Sequence, residues 1–332
     1  MASPSDVNEI YLSPGPHVSS RRTTQNIMLL VIIALLPLCI CGVVVFGVPA
    51  LVTLIASVAS TVIFEMLFQK LTKQTVRIKD LSAVVTGIML ALVLPPATPV
   101  WMTVLGALFA IVVAKGFFGG IGANVFNPAL TGRAFLFTSF PVAMSTWTLP
   151  FDTVTGATIL STMKGFDTST GASIMENVAI ENTSTITESY LPFILGTRAG
   201  CIGETSTLLI LIAFIFLLVT KIIDWRAPVA MIVVTVACSA LAGTPPGLAL
   251  MSGGLLFGAV FMTTDYATAP VTKTGRLIFG AGAGLITFLI RQFGGYPEGV
   301  MFSILIMNAL TPFLNKIIPA KYGYKGKKAG AR

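Results

Sequence analysis

Ten apolar runs, several close to the length that crosses a bilayer, constrain this 332-residue chain more than any motif in it. They lie at about 27–47, 50–67, 81–94, 100–113, 125–140, 205–220, 228–242, 248–264, 277–290 and 300–317. A helix needs roughly 20 apolar residues to cross about 30 Å of hydrocarbon. With 55% of the residues hydrophobic and 10% charged, little polar material is left for a water-facing surface. The expectation is an all-α polytopic membrane protein of about ten transmembrane helices. The first run follows Arg21 and Arg22 and is succeeded at once by another span, so it reads as a retained helix and not a signal peptide.

Runs 81–94 and 125–140 are short, and Pro95-Pro96 and Asn127-Pro128 punctuate them. Broken or tilted helices lining a protected interior are expected there, because irregular backbone facing lipid would leave polar groups unsatisfied. The same order of features recurs. Residues 81–135 run through a small-residue helix, a Pro break, a long span, Gly119-Gly120 and Asn127-Pro-Ala. Residues 251–313 run through Ser252-Gly-Gly, a polar break at Thr263-Thr264-Asp265 ending in Pro270, a long span, Gly294-Gly295 and Asn308-Ala-Leu. Two five-helix repeats follow, and because five is odd they have inverted topology. Such folds place their site at the repeat interface near the breaks, here Pro95-Pro96 with Asn127-Pro128 and Asp265 with Asn308.

Basic residues in short loops stay cytoplasmic. With the N-terminus inside, the cytoplasmic side receives Arg21, Arg22, Lys70, Lys73, Arg77, Lys79, Lys115, Lys221, Arg226, Lys273, Arg276, Lys316 and the tail cations from Lys321 to Arg332; the outside receives only Lys164, Arg198 and Arg291. Arg133 falls within a span. The expected organisation is a cytoplasmic segment 1–26, a first repeat 27–140, an extracytoplasmic loop 141–204, a second repeat 205–318 and a basic cytoplasmic tail 319–332. Positive-inside bias accounts for the net charge of +8 without nucleic acid, and the Lys-rich tail reads as an anchor to the lipid surface.

The loop carries Asp152-Thr-Val-Thr155-Gly156-Ala157-Thr158. Gly156 and Ala157 remove bulk beside Thr158 and allow a partner to approach the backbone, and Asp152 supplies a carboxylate upstream. The stretch resembles the Asp-x-x-(Ser/Thr)-Gly-Ala-(Ser/Thr) signal read by flavin transferases, which join the phosphate of FMN to the last hydroxyl. That residue would be Thr158, with Thr153 and Thr155 as neighbouring alternatives.

No other redox or hydrolytic handle is visible. There is no Gly-x-Gly-x-x-Gly for NAD and no cysteine cluster spaced for iron–sulfur ligation. Cys39 and Cys41 fall on different faces of one helix, Cys238 lies in another span, and Cys201 is alone in the loop. With His17 the single histidine, a His-based metal site and a Ser-His-Asp hydrolase are excluded.

Further segments, Ser13-Pro-Gly-Pro-His17, Asn124-Val-Phe-Asn127-Pro-Ala-Leu-Thr-Gly-Arg133 and Gly200-Cys-Ile-Gly-Glu204-Thr-Ser206, extend the resemblance over nearly the whole chain to the NqrB/RnfD family of membrane redox subunits. The short segment ahead of the first span fits the Rnf branch, because NqrB subunits carry a longer N-terminal extension. One departure is Thr153, where the family often has a small residue. The resemblance implies a subunit of an ion-translocating oxidoreductase, incomplete alone, that relays electrons between ferredoxin and NAD and couples this to export of Na⁺ or H⁺. It implies covalent FMN and, in some members, a non-covalent riboflavin. It also implies the other Rnf subunits (A, B, C, E and especially the flavin-bearing G) as partners, in the cytoplasmic membrane of a prokaryote. An NqrB-like component of a quinone-reducing complex and a urea-transporter-like permease, whose architecture the repeats also resemble, stand as alternatives.

Carboxylates inside the membrane are costly and mark function by default. Glu65 in the second span and Asp265 at the broken end of the eighth are the ion-handling candidates. Arg133 could hold a flavin phosphate, a ribityl chain or an acidic neighbour, and Asn127 belongs to the same matched segment. Glu204 opens the sixth span, where an acid favours the helix dipole, and similarity to the family suggests that it frames the flavin.

Overall fold

The computed structural model describes residues 23–148, 150–151, 155–156, 191–196, 198–295 and 298–317. Asp152, Ala157 and Thr158 lie outside the described residues, as do Ser13–His17 and the basic tail.

Helix α1 (Thr24–Phe46) starts where the Thr23 hydroxyl accepts the Asn26 N–H. It ends at Gly47, whose φ of 71° turns the chain directly into α2 (Val48–Leu71). At 1.5 Å per residue, helices of 23 and 24 residues reach about 35 Å, enough to span the hydrocarbon. Their outward faces are Leu36, Ile40, Val44, Val52, Ile55 and Ile63. Water would not tolerate so continuous an apolar surface, whereas lipid does. Together with Lys273–Phe293, three helices among the described residues are long and apolar enough to cross a membrane, and several shorter apolar helices accompany them.

The first part continues with α3 (Ser82–Val93), α4 (Val100–Leu108) running into a π-helical stretch Phe109–Gly116, and α5 (Pro128–Ser139). A short α6 (Pro141–Ser145) and a two-stranded antiparallel ribbon, β1 (Trp147–Thr148) against β2 (Thr155–Gly156), lead into the loop region, which contains α7 (Leu191–Leu195). A 3₁₀ turn, Ile202–Glu204, precedes α8 (Thr207–Val219) and α9 (Arg226–Leu241). Then come α10 (Pro246–Met251), α11 (Leu255–Phe257) merging with a second π stretch Gly258–Met262, α12 (Lys273–Phe293) and α13 (Val300–Leu314). Each of the ten apolar runs coincides with helix.

Two expectations about the helix breaks need correction. The run 248–264 is not one helix: Gly253 and Gly254, with φ of 61° and 65°, break it between α10 and α11. Asn308 marks no break. It lies inside the continuous α13, fully buried, with both polar atoms of its side chain unpartnered among the described residues. Asn127, by contrast, caps α5 by accepting the Leu130 N–H, with Pro128 preset in the first turn.

Helix packing relies on close backbone approach, as expected where lipid supplies no hydrophobic drive between helices. Helices α9 and α12 meet at Gly280 and Gly284, where a Cβ would overlap the carbonyls of Ala227 and Met231, and the Thr235 hydroxyl donates to the Gly284 carbonyl at 3.1 Å. Helices α4 and α5 meet in the same way at Gly106 and Gly132. In the first part α2 packs on α3 and α4, α5 on α3 and α4, and α1 on α3. In the second, α9 packs on α10 and α12, α13 on α12 and the second π stretch, and α8 on α11. The two parts meet where α1 packs on α8 and α5 on α13.

Candidate functional site

Three places gather the polar chemistry of the described residues. The first is a cavity of about 160 Å³ between the helix breaks. Asn124 and Asn127, at the start of α5, line it with Thr86 of α3, Lys115 of the first π stretch and Asp265 just beyond the second; Met28, Met89 and Phe261 supply apolar walls. π turns recur at functional positions, and here both feed residues into one cavity. Asp265 accepts the Thr268 hydroxyl at 3.1 Å. Pro95-Pro96 is not among the lining residues.

On the wall of this cavity Lys115 meets Glu65. The ammonium donates to both carboxylate oxygens at 2.8 Å and to the Ser82 hydroxyl at 2.6 Å, which exhausts its three donors. The side chains are 5% and 6% exposed. Ser82 donates in turn to Asp80 at 3.0 Å, and Gln69 donates to Glu65 at 3.2 Å. Glu65 therefore faces inward, and Lys115, expected among the loop cations, is its partner.

The second place is a buried charged knot. The Arg133 guanidinium, on α5, donates to Glu298 at 2.6 Å and to the Cys201 sulfur at 3.3 Å. Cys201 donates to the Val93 carbonyl at 3.0 Å, at the C-terminal end of α3. Ligand atoms of Cys201, Glu204 and Glu298 lie within 4.8 Å of one another, but Arg133 already supplies the positive charge between two of them. Burial pushes the Cys201 thiol well above its ordinary pKa despite Arg133 beside it, so it is a poor nucleophile.

Glu204 does not open the sixth span as expected. The Ser206 hydroxyl caps α8 by accepting the Leu209 N–H, and Glu204 is folded beneath it in the 3₁₀ turn, its carboxylate packed against Gly254. Arg291, expected outside a span, lies in the last turn of α12 and donates to the carbonyls of Ala249, Ser252 and Gly253. Arg198 donates to the carbonyls of Met251 and Glu204. Two guanidiniums thus satisfy the carbonyls that the break after α10 leaves without helical partners.

The third place is the ribbon. Trp147 pairs with Gly156 and Thr148 with Thr155, and Trp147 is buried. The Phe151 N–H donates to the Val45 carbonyl at 3.0 Å, which ties this segment to the end of α1.

The sequence singles out neither Lys115 nor Glu298 as a site residue. A lysine between apolar runs reads as a loop charge, and Glu298 follows Gly294-Gly295 in a stretch without periodicity.

Compared with known proteins, residues 11–323 match the NQR2, RnfD, RnfE family. The chain is 42% identical, over 98% of its length and 100% of the relative's, to the D subunit of the Na(+)-translocating ferredoxin:NAD(+) oxidoreductase complex of Acetobacterium woodii. It is 40% identical, over 95% and 97%, to the D subunit of the proton-translocating ferredoxin:NAD(+) oxidoreductase complex of Clostridium ljungdahlii. It is also 40% identical, over 91% and 93%, to the D subunit of the ion-translocating oxidoreductase complex of Stutzerimonas stutzeri. Near-equal identity to a sodium- and a proton-named relative means that overall similarity does not choose the ion.

Proposed function

The chain belongs to the NQR2, RnfD, RnfE family, and on that premise we propose that it is the D-type membrane component of an Rnf-type complex, relaying electrons through FMN esterified to Thr158. The complex couples electron transfer between ferredoxin and NAD to movement of Na⁺ or H⁺. The observation that carries this reading is end-to-end similarity to the D subunits of such complexes, joined to an acceptor motif that those names do not mention.

Flavin accepts one or two electrons, which suits a relay between carriers of different kinds. In the ribbon, Thr155 and Gly156 pair with Thr148 and the buried Trp147, and the neighbouring Phe151 is fastened to α1, which supports a flavin loop held close to the helices. The lining of the larger cavity is of the kind that could hold part of a non-covalent riboflavin: Asn124, Asn127 and Thr86 offer hydrogen-bonding groups, and Met28, Met89 and Phe261 offer apolar contact.

The two-part packing supports inverted five-helix repeats. α1 and α8 open the two parts and α5 and α13 close them, and each pair meets across the boundary, as a two-fold relation allows. Basic residues concentrated in one set of loops support cytoplasmic termini and an extracytoplasmic flavin loop in the cell membrane of a prokaryote. The partners are the remaining Rnf subunits (A, B, C, E and G).

Purified complex resolved under denaturing conditions tests the assignment. Flavin fluorescence is expected at the mobility of this chain and lost in Thr158→Val. A dark band, or fluorescence that survives the substitution, overturns it.

A further inference from the structure

The Lys115–Glu65 pair stands between two cavities. Lys115 lines the larger one with Asp265, Ser82 and Asn127. With Glu65 it also lines a smaller one of about 20 Å³, bounded by Gln69, Gln74, Gly116 and Gly120. Gln74 is exposed, so the smaller cavity faces the surface while the larger reaches between the helix breaks. An ion passing from one to the other meets the partition that the buried ammonium and carboxylate make.

The charges around this partition are uneven. Glu65 holds Lys115 through two hydrogen bonds, whereas Asp265, across the larger cavity, has no ion-pair partner among the described residues and keeps the Thr268 hydroxyl. Lys115 is the one Lys or Arg among the described residues that line the larger cavity. Glu65 and Asp265 thus share one resident cation, with Asp80 beside them held by the Ser82 N–H and hydroxyl, and the position left over at the larger cavity has the charge of a small monovalent cation. A lysine suits exchange better than an arginine, because it is a compact point charge on a flexible four-carbon stem with no planar fork to lock it in place. It also sits on a π turn, where the Gly120 N–H reaches back five residues to the Lys115 carbonyl at 3.0 Å.

We propose that Lys115 is the resident counter-ion of the cation path: its ammonium and the transported small monovalent cation take turns on Glu65, the ammonium crossing to Asp265 when the cation arrives. Charge over Glu65 and Asp265 balances at each stage, with one ammonium and one cation for these two carboxylates, while Asp80 keeps its bonds from Ser82 throughout. The inference rests on the translocation reading above and adds to it the group with which the cation competes.

The test uses the intact complex in sealed vesicles, with electron transfer followed against Na⁺ concentration at fixed pH and against pH in Na⁺-free medium, and ion uptake read in parallel. Removing the competitor in Lys115→Met lowers the half-saturating cation concentration about tenfold, and slows turnover because release from Glu65 becomes harder. Lys115→Arg, which keeps the charge and grips a carboxylate with two donors, shifts half-saturation the opposite way. A shift on the Na⁺ axis identifies sodium as the competitor, and a shift on the pH axis identifies the proton.

Half-saturation within about twofold of wild type in both variants, with the loss confined to the amount of assembled complex, overturns the Lys115 assignment alone and makes the pair structural. Wild-type vesicles that pass electrons while moving neither ion overturn the translocation reading itself, and this inference with it.

Discussion

Arg133 of α5 donates to Glu298, the residue two before α13, so an ion pair with side chains 8% and 16% exposed joins the first and second parts of the fold where α5 and α13 meet. Breaking a buried pair by removing one partner leaves an uncompensated charge and costs about 3–5 kcal/mol. Arg133→Met is therefore expected to lower the thermal stability of the solubilised protein sharply. Arg133→Met with Glu298→Met is expected to recover most of the loss. Equal loss in the single and double variants would show that Arg133 acts through something other than Glu298.

The α9–α12 contact makes a contrast within one helix. A Cβ at Gly280 meets the Ala227 carbonyl, which is backbone, whereas one at Gly282 meets the flexible end of Met307. Gly280→Ala is expected to cost about 1–3 kcal/mol through overpacking, and Gly282→Ala much less. Parallel denaturation midpoints for the two variants check this.

Acid stability depends on Asp224, between α8 and α9. Burial alone would raise its pKa, but the Arg226 N–H and the Arg226 and Arg276 side chains, at 2.7 and 2.9 Å, outweigh burial and hold it below the usual carboxylate range. The folded-state pKa lies below the unfolded one, so the stabilisation is present above the unfolded pKa of about 3.9 and is lost as pH falls through the folded pKa. Asp224→Asn should flatten the acid limb of the stability curve below about pH 4 and lower stability at neutral pH. An acid limb that keeps its slope in the variant would remove Asp224 from the account.

Asn127 joins a helix cap to the larger cavity. Asn127→Ala removes the acceptor for the Leu130 N–H, at a cost of about 1 kcal/mol, and takes a hydrogen-bonding group from the cavity. The expected outcome is loss of acid-extractable flavin from the complex while protein-bound flavin persists. Unchanged extractable flavin would place any riboflavin elsewhere.

Apolar length marks where helix forms in each of the ten runs, and three of the described helices have the length and composition to cross a bilayer, which composition over about 20 residues specifies without any partner. Asn127-Pro128 reads in the sequence as a break within the run 125–140, and in the structure it is the capped start of α5. The partners were not legible. Lys115 finds Glu65 fifty positions away, and Arg133 finds Glu298 at a separation of 165, through helix packing that no local pattern encodes. Glu204 was misplaced by two residues because Ser206 is the better cap. The break in the eighth run sits at Gly253-Gly254, a pair that reads in the sequence as a repeat feature and not as a turn.

The most direct measurement is the mass of the peptide containing residues 152–158, released by proteolysis from the purified complex. The account predicts a peptide heavier by FMN less one water, with fragmentation that places the added mass on Thr158 and an unmodified peptide in Thr158→Val. A wild-type peptide of unmodified mass, or a flavin on another residue, would contradict it.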